Sequence, residues 1–296
     1  AAPTLPPGYA IHPMTDAEVA TLGDWAAAEG WNPGRADLAI ARACDPDAFI
    51  ALRGPDGALA GGGAVFSHGG RFGFMGLFIM RRDLRGAGLG AALWRHRRDR
   101  MIARLAPGAP IGMDGVFDMV KFYERGGFRF AHRDLRFEGI APDTGKPDAA
   151  AQSPGAVPLS ALDFAAIDAF DRGFFPAPRA EFLRRWIAQP GAHAQALLED
   201  GRIAAIGVAR PCREGWKIGP AFVVRPELGE TLLAGLMAPI AGQKVQIDIP
   251  EPNEAGLALV ARLGLSESFG CARLYYGPAP ALPLERIFGV TSFEFG

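Results

Sequence analysis

The segment Met75–Ala91, MGLFIMRRDLRGAGLGA, restricts the fold more than any other stretch of this chain. Six apolar residues read as a strand. They run into a bend carrying Arg81, Arg82 and Arg85, then meet Gly86, Gly88 and Gly90 before a helical pattern begins. Glycine has no β-carbon, so a ligand can come close to the backbone there. The first N–H groups of the following helix lack partners inside it and sit at its positive end, which suits a phosphate. The segment therefore predicts strand, glycine turn and helix, with a phosphorylated ligand at the turn.

The flanking pattern extends this unit. Helices are expected at 16–29 and 35–43, then strands at 49–53 and 59–66 joined by the hairpin turn Pro55-Asp56-Gly57. A strand follows at 72–80, a helix at 86–105, a strand at 110–116, a helix at 118–125 and a strand at 128–137. Mixed order of this kind implies an α/β fold, an α+β arrangement on a mixed sheet. Residues 141–156, rich in Pro, Gly and Ala without periodicity, read as a linker. The order then starts again, with Arg81-Arg82-Asp83-Leu84 answered by Arg225-Pro226-Glu227-Leu228 at an offset of roughly 140 residues. The chain is thus expected to hold a tandem duplication: a domain at 1–140, the linker, and a degenerate second copy with a tail at 157–296.

Composition narrows the function classes. A net charge of −1 over 296 residues gives no sign of nucleic-acid or membrane-surface affinity. Cys44, Cys212 and Cys271 are widely spaced and form no CxxC pair, so neither a metal site nor a disulfide framework is expected. No leader pattern opens the sequence and no apolar run reaches the roughly 20 residues of a membrane span, so a cytoplasmic setting is expected.

Two motifs carry a family resemblance. Arg85-Gly86-Ala87-Gly88-Leu89-Gly90 is similar to the R/Q-x-x-G-x-G/A motif of the GCN5-related N-acetyltransferases (GNAT), and it likewise follows a strand and opens a helix. Lys121-Phe122-Tyr123-Glu124-Arg125-Gly126-Gly127-Phe128 resembles that family's FYEKxGF segment. Residues 8–138 resemble the family throughout. The whole layout, with Gly30-Trp31-Asn32-Pro33-Gly34 and the tail Ile287–Glu294, resembles tandem bacterial acetyltransferases of the YitH-like kind. One position departs: Val116 stands where many members carry Asn.

The resemblance implies two copies of the GNAT fold, acetyl-CoA as donor and no metal. Backbone groups of Arg85, Gly86, Ala87, Gly88, Leu89, Gly90 and Ala91 would hold the pyrophosphate, and the strand Leu77, Phe78, Ile79 the pantetheine and thioester. Tyr123 would protonate the leaving thiolate, since a phenol stays protonated at neutral pH. An alkylamine with a pKa near ~10 needs a base to become nucleophilic, and Asp114 at the end of a strand is the candidate. Trp31 and Asn32 would line the acceptor cleft. His68 reads as an exposed turn residue, and Arg95, Arg97, Arg98, Arg100 and Arg104 as a solvated helix face.

In the second copy Gly229, Leu232 and Ala234 replace Arg85, Gly88 and Gly90, and Val260 replaces Tyr123. Leu232 would obstruct a pyrophosphate, so one acetyl-CoA site per chain is expected. The acceptor would be a small-molecule or peptide amine, and the protein a monomer or weak homodimer. Two other readings stand beside this one. A non-catalytic acyl-CoA-binding protein would keep the fold without turnover. A nicotinamide-binding fold would use Gly86–Ala91 as GxGxxA, but the intervening arginines and the lack of an acidic residue after a second strand disfavour it.

Overall fold

A computed structural model describes residues 5–142 and 155–296, so residues 143–154 of the expected linker lie outside the described residues. The first half runs β1 (Ala10–Pro13), α1 (Asp16–Ala28), α2 (Asp37–Cys44), β2 (Phe49–Arg53), β3 (Leu59–His68), β4 (Phe72–Met80), α3 (Leu89–Arg104), β5 (Ile111–Gly115), α4 (Val120–Arg125) and β6 (Phe128–Ile140). The second runs β7 (Ala156–Pro158), α5 (Phe164–Asp171), α6 (Ala180–Ile187), β8 (His193–Glu199), β9 (Arg202–Pro211), β10 (Trp216–Val223), α7 (Leu228–Met237), β11 (Lys244–Pro250), α8 (Glu254–Arg262) and β12 (Ser266–Tyr276). A short β13 (Ile287–Gly289) follows.

Local chemistry explains the boundaries. Thr15 caps α1 through a capping box, with the Thr15 N–H donating to Glu18 Oε2 at 2.8 Å and the Glu18 N–H to Thr15 Oγ1 at 3.3 Å. Residues of β2 and β3 alternate between two cores. Phe49, Ala51, Ala64 and Phe66 face α1 and α2, while Ile50, Leu52 and Val65 face α3. α3 starts at Leu89 rather than 86, because Gly86 and Gly88 both take positive φ and cannot lie in a right-handed helix.

The two halves do not close on themselves. The thirteen strands of the described residues share one mixed sheet, ordered β1-β2-β3-β4-β5-β12-β6-β11-β10-β9-β8-β7, with β13 added to β10. The last strand of each half is exchanged. β12 lies beside β5 of the first half, and β6 lies beside β11 of the second. The expected domain limit at residue 140 therefore follows the chain, while the packing crosses it. Each half would otherwise end in an unpaired strand, β5 or β11, and the exchange covers both edges.

The tail also crosses. β13 pairs antiparallel with β10 at Ala221 and Phe222, beyond the point where β10 and β11 cease to pair at Ile218. The Val290 N–H donates to the Asp248 carbonyl at 2.8 Å. Residues 290–296 then reach the first half, where Phe295 packs against Phe49 and Phe66, with Phe182 of α6 from the second half beside it. His68 is not an exposed turn residue: it is buried at the end of β3, 2.9 Å from the Phe295 carbonyl oxygen, and burial pulls its pKa down to about 3.

Candidate active site

The site grows from a defect in β4. Its register against β3 slips at Leu77 and Phe78, opposite Gly63, and Leu77 is held at φ +54°. A bulge bends the strand that carries it. β4 and β5 accordingly pair only at Gly73–Ile111 and Phe74–Gly112, then part. The wedge between them holds a cavity of ≈ 80 Å³, bounded by Leu77, Phe78, Trp31, Arg97, Tyr123, Phe269, Phe293 and Glu294 among others.

Tyr123 is held from two sides. Trp94 of α3 lies 5.8 Å from its ring and Phe122 5.7 Å, while Gly115 of β5 leaves no room for a side chain against it. Burial pushes the phenol up to about 12, against the pull of the Arg97 charge. It is therefore protonated across the physiological range and can donate a proton into the cavity.

The glycine turn is open. Gly86 and Gly88 have φ of +82° and +81°, and a Cβ at either would meet no atom within 4 Å. From Gly86 to Gly90 no backbone N–H has an acceptor among the described residues, so the turn presents several free donors at the helix start. Arg85 staples it, donating to the Met80 carbonyl at 3.0 Å and to Glu29 at 2.6 Å, which holds Glu29 below its usual value. Gly90 differs: it faces Met80 and Phe78, so its missing side chain lets α3 approach β4. Leu89 is buried beneath the helix, and Ile79 points into the core under α1. An anion of phosphate type fits this turn on its free donors and empty space.

Several expectations change. Asp114 borders the cavity, but both its oxygens are taken by Arg273 of β12 at 2.7 Å, and burial raises its pKa well above the ordinary value. It clamps the exchanged strand and is not placed as a free base. Trp31 does line the cavity. Asn32 turns away: its amide donates to the Glu214 carbonyl and to Gln246 Oε1, and its Oδ1 accepts from the Glu214 N–H, so it joins the halves. The α3 arginines do not form a solvated face: Arg95, Arg98, Arg100 and Arg104 are half-buried, Arg104 is bound to Asp45 and the Val65 carbonyl, and Arg97 is buried. It is 1 % exposed, and its Nη2 donates to the Ala64 and Gly76 carbonyls at 2.6 Å.

Leu232 is fully buried in the core between α7 and the sheet, so it is not what closes the second cleft. β13 occupies that cleft, and a side chain on Gly219 would strike the Val290 carbonyl. Only four residues, Val224 to Glu227, separate β10 from α7, and none of them is glycine.

Sequence reading missed Glu294. It is 3 % exposed and borders the cavity, although it lies more than 170 residues from Tyr123 in the chain. The one available signal was the compact polar and aromatic tail Thr291-Ser292-Phe293-Glu294, which resists reading as a strand or helix. Among the described residues no group of three or more His, Cys, Asp or Glu could hold a metal. None of their helices is long and apolar enough to cross a membrane.

Known proteins place this geometry. Residues 167–289 match the family described as "Acetyltransferase (GNAT) domain", a match that falls on the second half. Holothin acyltransferase of Pseudoalteromonas sp. (strain SANK 73390) is 25% identical over 282 residues, covering 93% of this chain and 90% of that protein. A putative acetyltransferase from Pyrococcus horikoshii superposes with a TM-score of 0.81 at 18% identity, covering 100% of this chain and 99% of that one. A tandem GNAT protein from the clavulanic acid biosynthesis pathway superposes with a TM-score of 0.63 at 16% identity, covering 92% of this chain and 99% of that one. Residues 167–289 thus match a GNAT acetyltransferase domain, and the chain as a whole has the fold of the tandem GNAT proteins, carried twice on one mixed sheet.

Proposed function

We propose that this protein is an N-acetyltransferase that moves an acetyl group from acetyl-CoA to a primary amine by direct attack in a ternary complex. The observation that carries the proposal is the course of β4: its bulge opens a wedge ending at Tyr123, and its C-terminal end leads into the free N–H groups of Gly86–Gly90. The turn would hold the donor's pyrophosphate, the Leu77–Phe78 bulge its thioester, and Tyr123 would protonate the departing thiolate. Donors set in a buried, preformed frame stabilise developing charge far better than water does.

The acceptor would enter beside Trp31. Phe269, Phe293 and Trp31 give that wall an aromatic character, which suits an amine acceptor, small-molecule or peptide, with an apolar group beside its nitrogen. The relative named holothin acyltransferase supports acyl transfer. One donor site per chain is proposed, in the first half, with the second half as its pseudo-dimer partner and a cytoplasmic setting for three free thiols. Thiol release from acetyl-CoA over a panel of amines tests the proposal, and no release with any amine while CoA binds would favour the non-catalytic reading that Val116 motivates.

A further inference from the structure

We infer that Glu294, delivered by the C-terminal tail, is the base that takes the proton from the acceptor amine. This rests on the acyl-transfer reading above and fills the role that Asp114 leaves vacant.

Glu294 is a buried carboxylate on the cavity wall that also holds Tyr123, and among the described residues no Lys, Arg or His lies within ion-pair distance of it. A buried charge without a partner is costly unless something else compensates. The tail is built to keep it there. Ser292 Oγ donates to Glu294 Oε2 at 2.6 Å and accepts from the N–H groups of Glu294 and Phe295 at 2.9 and 3.2 Å. Phe293 lies under the Arg136 guanidinium at 4.9 Å, and the Glu294 carbonyl rests against Gly76, where any side chain would collide with it. Among the described residues Oε2 alone has a hydrogen-bond partner, which leaves Oε1 as the acceptor. The charges that act on Glu294 from the packed elements are Arg136 of β6, Arg210 of β9 and Lys217 of β10, with the Cys212 thiol after β9 also in range. Arg136 and Arg210 are already paired with Asp248 and Asp37, and Lys217 donates to backbone carbonyls of Trp31 and Asn32.

The bound ammonium gives one proton to Glu294, and the freed lone pair forms the C–N bond as the carbonyl π electrons move to oxygen. Collapse breaks the C–S bond, and the thiolate takes the Tyr123 proton. The second proton on nitrogen returns to the Tyr123 phenolate, and Glu294 releases the first to solvent with the products.

The test is Glu294→Gln, which keeps the size and the Ser292 contact, with Glu294→Asp as a second variant should the first not fold. Steady-state assays with an alkylamine should show kcat/KM falling by about 10²-fold or more, with CoA affinity unchanged. With an arylamine that is already neutral at pH 7 the defect should shrink, a response that a merely structural residue would not give. Wild-type rates with the alkylamine in Glu294→Gln, or a defect of equal size with the arylamine, would overturn the inference alone. A wild-type protein that binds CoA but transfers nothing would overturn the acyl-transfer reading and this inference with it.

Discussion

Arg273 of β12 and Asp114 of β5 face each other in register across the two halves, with both Nε–Oδ1 and Nη2–Oδ2 at 2.7 Å. Arg136 of β6 and Asp248 of β11 repeat the pair at 2.6 and 2.8 Å. Each exchanged strand is thus pinned to its host by one buried, bidentate pair, and the two pairs occupy equivalent places in the duplicated fold. Coulomb attraction between buried groups is strong, but so is the cost of burying them, so the pairs specify the strand exchange more than they add stability.

Breaking one partner exposes that balance. Asp248→Ala leaves Arg136 buried and uncompensated, and should cost about 3–5 kcal/mol in denaturant unfolding. The double change Arg136→Met with Asp248→Leu should recover most of that loss. A single variant with an unchanged midpoint would show that the pair does not hold the strand.

Tyr123→Phe should lower kcat by about 10²-fold or more and leave CoA affinity nearly intact. Because burial holds the phenol up to about 12, the wild-type rate should show no fall from Tyr123 ionisation below about pH 11. An alkaline limb near pH 8 or 9 that disappears in Tyr123→Phe would contradict this.

Much of the fold was legible because it is local. The β2–β3 hairpin announces itself in Pro55-Asp56-Gly57, α1 in Thr15 and Glu18, and the donor turn in three alternate glycines. The strand exchange was not legible, since the apolar pattern of β6 and β12 states that they are buried but not against which neighbour. Asp114 and Asn32 were misassigned for a related reason: their partners, Arg273, Glu214 and Gln246, lie more than 150 residues away. Glu294 escaped because a tail without periodicity carries no sign of where it docks.

Stability should depend on pH through Glu18. Its bidentate contact with Arg53 at 2.7 and 2.8 Å is the largest cause that lowers its pKa from 4.5 to about 2. A carboxyl lowered in the folded state contributes stability that is fully present above pH 4.5 and is lost as pH falls toward 2. Wild type should therefore lose more melting temperature between pH 5 and about 2 than Glu18→Gln does. Parallel melting curves for the two proteins would remove the pair from the acid response.

The two clefts predict a single donor site per chain. Calorimetry should titrate to one CoA, because β13 fills the second wedge and the first alone leads to a glycine turn. Gly88→Val should weaken that binding about tenfold, since a β-branched residue at φ +81° is strained by about 1–3 kcal/mol and fills the open turn. Two equivalents per chain would mean that the tail leaves the second cleft.

Gly76 offers the sharpest test of the tail, because it joins both halves of the site at one atom pair. Its carbonyl accepts from Arg97 at 2.6 Å, and its α-carbon faces the Glu294 backbone so closely that an added methyl would collide with it. Gly76→Ala must therefore shift the tail, and with it Glu294, while leaving the glycine turn ten residues away untouched. Displacement of a reacting group by about 1 Å costs on the order of 10²-fold in rate, so kcat should fall by about that factor. CoA affinity should stay within about threefold, since the donor's phosphates bind elsewhere. Near-native kcat would show that the tail can retreat without consequence, and a matching loss of CoA affinity would place the damage in β4 instead.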